Sequence, residues 1–176
     1  MKADAIWGRI SRFSRNKESL TQTLRDVPLF TELSTNELHV LEQVVHTRIY
    51  KPGETVFVET EPGAGMYVIQ SGRVNIVLQH GPESAIPLAE LEPGDFFGEM
   101  ALLGNMTRSA TAIATERSVL IGFFHPDLIE MIRLNPQIGA KISLGLAKTL
   151  ADRLRYTSTQ LRDVWIGRGP RETAVR

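Results

Sequence analysis

The chain has 176 residues, 42% of them hydrophobic, enough for one domain with a sizeable core. Its 20 Lys and Arg balance its 20 Asp and Glu, so no global charge directs it to nucleic acid or to an anionic membrane. Cysteine is absent, which excludes disulfides, iron–sulfur ligation and thiol catalysis.

The N-terminus MKADAIWGRISRFSRNK lacks an apolar stretch of signal-peptide length. The longest strongly apolar run, VLIGFF at 119–124, falls far short of a membrane span, so a cytoplasmic protein is expected. Residues 1–25 read as a basic helical segment: Lys2, Arg9, Arg12, Arg15 and Lys17 stand against Asp4, while Ile6, Ile10 and Phe13 recur at helical spacing beside Trp7. Such a helix can lie on a membrane or an acidic partner. The favoured expectation is that it packs on its own domain or on a second copy, as amphipathic surface helices ordinarily do.

A domain is expected over 26–165. It opens with LFTELSTNELHVLEQVV, where Ser34 or Thr35 can cap a helix and Glu37 can complete a capping box with Ser34. Strand-like runs follow over about 47–124, divided by Pro-Gly pairs at 52–53, 62–63 and 93–94, each read as a type II turn. The strands alternate, as in VNIVL, where Val74, Ile76 and Leu78 share a face. Many short strands with frequent turns predict a mainly β fold, an antiparallel, jelly-roll-like β-roll with flanking helices.

Helices are predicted over 126–165. Pro126 and Pro136 suit first helical positions, and Asn135 suits a cap. The second helix, Pro136 to Trp165, carries one stripe of Ile138, Ile142, Leu146, Leu150 and Leu154, with Leu144, Ala147, Ala151 and Leu161 on adjacent faces. A small roll cannot cover more than one such face, so another is expected to meet a second copy of the helix in a homodimer. The polar tail 166–176 follows, too short for a DNA-reading module, so direct DNA binding is not expected.

The chemistry concentrates in FGEMALLGNMTRSATA, residues 97–112, whose charges are Glu99 and Arg108 alone. Gly98 would admit a short helix whose first N–H groups, those of Met100 and Ala101 among them, attract an anion. Arg108 offers a planar fork suited to phosphate. Ser109 and Ala110 let a ligand approach the backbone, and Glu99 can accept from sugar hydroxyls. The alternative is an internal Glu99–Arg108 ion pair that caps the loop. His39, His46, His80 and His125 form no His-x-His pair, so no metal site is expected.

This stretch resembles the phosphate-binding cassette of cyclic nucleotide-binding domains, the family of bacterial catabolite activators, regulatory subunits of cAMP-dependent protein kinase and cyclic nucleotide-gated channels. The resemblance covers roughly 26–160 and takes in VPLFTELS, KPGETVFVE, YVIQSGRVNIV and EPGDFFGE. It implies that Glu99 accepts the ribose 2′-hydroxyl. It also implies that Arg108 pairs with the cyclic phosphate, helped by the N–H groups of Met100, Ala101 and Ala110, with Gly98 at the helix entry and Ser109 beside the phosphate. Ile76, Leu88 and Leu91 fall where the family lines its sugar and base pocket, although each also suits ordinary strand core. Candidates for the lid over the base are Leu150, Arg153, Leu154 and Thr157; alignment from Asn135 onward selects Arg153 and Leu154. The expected function is that of a cAMP or cGMP sensor, not an enzyme and without a cofactor, which signals through its C-terminal helix to an effector protein or within a dimer. The alternatives are a degenerate scaffold, a membrane-surface adaptor, or a different ligand such as a cyclic dinucleotide.

Overall fold

The structure, a computed structural model, describes residues 19–79, 85–104 and 106–167. The basic segment 1–18 and the tail 168–176 lie outside the described residues, as does His80. Among the described residues no helix is long and apolar enough to cross a membrane.

Eight described strands form two four-stranded antiparallel sheets: β1 (His46–Tyr50), β2 (Thr55–Phe57), β3 (Gly65–Ser71), β4 (Val74–Gln79), β5 (Ala85–Leu91), β6 (Phe96–Phe97), β7 (Thr111–Ala114) and β8 (Ser118–Phe124). One sheet runs in the order β1-β8-β3-β6 and the other β2-β7-β4-β5. The jelly-roll-like β-roll expected from the turn spacing is thus present.

Strand β3 shows how the layers close. Met66 and Val68 face a core shared with the helices, while Tyr67 and Ile69 face the space between the sheets. A strand buried on both faces needs apolar residues at successive positions, as MYVI supplies. The helical side of the core contains Leu24, Leu29, Phe30, Leu38, Leu41 and Phe123, with Phe30 edge-on to Phe123 at 6.0 Å.

Before the roll come α1 (Leu20–Arg25), a 3-10 turn at Pro28–Phe30, and α2 (Thr35–Glu42). Ser34 caps α2, and its capping box with Glu37 is complete, as the sequence predicted. After the roll come α3 (His125–Leu134) and α4 (Pro136–Trp165), the latter with the predicted bounds. Asn135 occupies the cap position of α4, but its side chain makes no capping bond. Its ψ of 69° departs from the extended geometry of a capping residue, and its N–H donates instead to the Met131 carbonyl at 2.8 Å.

The stripe on α4 is buried as far as Leu146, and Leu150 is partly buried against the same core. Leu154 departs from it and is 68% exposed. Two glycines set the approach: a Cβ on Gly139 would meet the Ile132 backbone of α3 at 2.6 Å, and one on Gly145 would meet the Leu29 carbonyl at 2.5 Å. Lys141 to Glu37 at 2.7 Å and Lys148 to Glu32 at 3.2 Å add ion pairs along the same half of the helix.

Gly53 and Gly94 have φ near +80° and +91°, as type II turns require. Gly63 does not, and Pro62 instead forms an isolated antiparallel bridge to Thr107. The Pro-Gly pair at 62–63 is therefore a seam with the 106–108 loop, not a type II turn.

Candidate functional site

The segment 97–112 leaves one sheet at β6 and enters the other at β7. It must cross the inter-sheet space, which explains why it is short of charge. Gly98 takes the left-handed φ of 77°, and a Cβ there would stand 2.6 Å from Arg108 Nη1. Both facts require glycine. The predicted short helix forms as a single 3-10 helix, Glu99–Leu103, which ends at Gly104. His125 Nδ1 lies 2.7 Å from the Leu102 carbonyl and fastens that end to the start of α3.

The 3-10 geometry changes one expectation. The Ala101 N–H donates to the Gly98 carbonyl at 3.2 Å, so in this state it is engaged within the turn. Met100 is exposed at the rim and Ala101 is buried.

Arg108 is held from both directions. Its N–H donates to the Glu61 carbonyl and its carbonyl accepts from the Thr60 N–H, each at 2.8 Å. Thr60 is a β-branched residue at φ 71°, a strained conformation that this contact helps to fix. The guanidinium Nη1 donates to the carbonyls of Gly65 at 2.7 Å and Gly98 at 3.2 Å, and the group lies 3.9 Å from the centre of the Phe57 ring. Nε is buried and makes no hydrogen bond. Burial lowers the pKa of this guanidinium from its ordinary value, and nearby Tyr67 and Glu99 act in the opposite direction.

Glu99 is 1% exposed. The internal Glu99–Arg108 pair considered from the sequence is not formed: Oε1 accepts from Arg153 Nη1 of α4, and Oε2 is buried without a partner. Arg153 also lies 5.1 Å from the centre of the Phe96 ring.

These groups line a partly open cavity between the 97–112 segment and α4. Its wall brings together Gly98, Glu99, Met100, Ala101, Arg108, Ser109 and Ala110 with Ile76 and Arg153. Leu88, Leu91 and Leu154 are not part of it. Leu91 is buried in the inter-sheet core with Leu88 packed against it, and Leu154 faces outward. Ser109 is exposed. Sequence reasoning missed Phe57, Phe97 and Thr107, which also line the cavity. Their strand and loop patterns distinguish them in no way from core or surface positions.

A family model described as cyclic nucleotide-binding domain matches residues 47–135, half of the chain. The cyclic AMP receptor protein of Thermus thermophilus is 33% identical over 138 residues, which are 78% of this chain and 62% of that protein. The crystal structure of the Thermus thermophilus catabolite activator protein is similar with a TM-score of 0.70 and 34% identity, over 78% of this chain and 62% of that one. A cAMP-dependent protein kinase regulatory subunit of Colletotrichum orbiculare is 37% identical over 60% of this chain and 26% of its own length. The chain spans less than two thirds of the length of each of these relatives. It belongs to the family of cyclic nucleotide-binding domains.

Proposed function

We propose that the chain is a cyclic-nucleotide sensor that takes cAMP or cGMP between the 97–112 segment and α4, and performs no reaction on it. The observation that carries this reading is the Arg108 guanidinium, buried in a cavity wall with its Nε unpartnered. A buried cation with an unused donor is costly unless an anion completes it, and a cyclic phosphate beside Arg108 does so. The unpartnered Oε2 of Glu99 supplies an acceptor for a sugar hydroxyl in the same wall. The names of the relatives favour cAMP. Ser109 is compatible with either base.

The output we assign to α4. Leu144, Ala147, Ala151, Leu154, Ser158, Leu161 and Trp165 follow the alternating three–four spacing of a coiled-coil seam, and all are exposed. Lys148, Arg155 and Arg162 recur every seven residues along one flank of that seam. An antiparallel pairing would set this flank against itself, cation to cation, so a parallel homodimer is the arrangement the charges favour. Nucleotide can move α4 only to the extent that it prefers one helix position over another. An effector protein would then read the helix or the dimer.

Isothermal titration calorimetry of the chain with cAMP and with cGMP, after unfolding and refolding to remove co-purified ligand, tests the reading. Saturation near one nucleotide per chain is expected, and the affinity ratio gives the base. Absence of heat with either, from protein shown to be refolded, would point to a scaffold or to another nucleotide.

A further inference from the structure

The last turns of α4 are covered along one line only. Asp163 is 8% exposed, while its neighbours Val164 and Trp165 are 63% and 81% exposed. Gln160 and Tyr156, one and two turns before it, are half-buried, and Arg153 continues the line into the cavity wall. The exposed seam of Leu154, Ser158, Leu161 and Trp165 lies on the far side of the helix. Among the described elements, α4 packs chiefly on α3 and on the Pro28–Phe30 turn, and it does so in its first half, at Gly139 and Gly145. Beyond Arg153, among the described residues, its side chains form hydrogen bonds and ion pairs only within the helix. Asp163 forms neither. A shielded carboxylate without a counter-charge is costly, and one in the last turn of a helix also opposes the helix dipole. This face therefore calls for a cover that is cationic and partly apolar.

We infer that residues 1–17 seat on this face as a strap antiparallel to α4, with Asp163 as the counter-charge of their cations. The segment has the composition that the face requires. Lys2, Arg9, Arg12, Arg15 and Lys17 stand against Asp4 alone, and Ile6, Ile10 and Phe13 supply an apolar line. Its length fits as well: as a helix it would span about 26 Å, and α4 runs roughly 23 Å from Leu150 to Trp165. Leu20, the first residue of α1, packs against the same core as Leu150, so the segment and the last turns of α4 leave from one core. The tail 168–176 has cations but no apolar stripe. A second copy would use the seam on the far side. The inference does not depend on which ligand the cavity takes. Because Arg153 lines both the cavity and this face, a movement of α4 also moves the seat of the strap.

The test is hydrogen exchange, read by mass spectrometry, on the full chain, on a chain lacking residues 2–17, and on full-length Asp163→Lys. Amides of 155–165 should exchange about tenfold faster in the truncated chain, as a stretch that loses its packing partner does, with the β-roll amides unchanged. Asp163→Lys should act in the same direction. On a free helix end the sign is opposite, because a lysine in the last turn favours the helix and slows exchange. Exchange at 155–165 that is the same with and without residues 2–17 would overturn the inference. Exchange in Asp163→Lys no faster than in the full chain would overturn it too, and decides the matter if the truncated chain does not fold. The same rise on removing 168–176, with residues 1–17 in place, would assign the cover to the tail and overturn it. Exchange that varies with protein concentration equally in the full and truncated chains would assign the face to a second copy, with the same result.

Discussion

Gly63 lies so close to Ala101 that a Cβ on the glycine would stand 2.7 Å from the alanine Cβ, and 3.4 Å from the guanidinium carbon of Arg108. The loop before β3 and the 3-10 helix after β6 are pressed together with no room for a methyl group. Gly63→Ala should therefore displace the 3-10 helix or Arg108. A destabilisation of about 1–3 kcal/mol is expected from overpacking. Thermal unfolding measures it, and cAMP titration should show weaker binding in the same variant. Unchanged values in both would mean that the loop yields without strain.

Arg108→Ala should weaken cAMP binding by roughly 2–5 kcal/mol, the cost of removing the charged partner of a buried anion. Its stability should also fall, because the Arg108 guanidinium donates to the Gly65 and Gly98 carbonyls in addition to any ligand contact. Glu99→Gln should cost less affinity, since the phosphate contact survives. An Arg108→Ala chain that bound cAMP as tightly as the original would remove the basis of the proposed site.

Gly145→Ala inverts the usual helix rule. Alanine in place of a helical glycine ordinarily stabilises by about 0.4–1 kcal/mol. Here the added Cβ would fall 2.5 Å from the Leu29 carbonyl oxygen, backbone that cannot rotate aside, so destabilisation of about 1–3 kcal/mol is expected. Chemical denaturation of the variant gives the sign directly.

The link between α2 and α4 should weaken in acid. Hydrogen bonds from Lys141, and then from the Ser34 backbone and side chain, lower the pKa of Glu37 from 4.5 to about 2. A depressed carboxylate stabilises the fold above its unfolded pKa, so this contribution is complete above pH 4.5 and is lost as the pH falls towards 2. Glu37→Gln should flatten the decline of melting temperature across that window. A decline of the same steepness in the variant would assign the acid sensitivity to other groups.

Leu154→Glu combined with Leu161→Glu should abolish the proposed dimer and leave the melting temperature of the monomer nearly unchanged, because both leucines are exposed within one chain. Analytical ultracentrifugation of the original and the variant is the check. A monomer in both cases would rule out the helix seam as a contact between copies.

The sequence made the long helix legible because Pro136 marks its start and an apolar stripe at spacing four carries it through several turns. The roll was legible from turn spacing, and Gly98, Glu99 and Arg108 from their contrast with an otherwise apolar stretch. Gly63 was misread because proline followed by glycine looks the same whether glycine is needed for its φ or for its lack of a Cβ. Leu154 was placed at the pocket by alignment from Asn135 onward, which counts residues along the helix and does not say which way each one faces. In space Leu154 turns outward, and Arg153, one residue earlier, lines the cavity. The partner of Glu99 was not legible, since nothing local relates residue 99 to residue 153.

The contact of Gly145 with Leu29 has a mechanical consequence. Backbone against backbone leaves no side-chain rotamer to absorb movement, so the crossing can serve as a fulcrum for the helix beyond it. At 1.5 Å per residue, Arg153 lies roughly 12 Å along the axis from this point and Trp165 roughly 30 Å. A tilt that shifted Arg153 by about 1 Å would sweep Trp165 through about 2.5 Å. The short arm of this lever ends at the Glu99 carboxylate, and the long arm ends in a tryptophan that is 81% exposed.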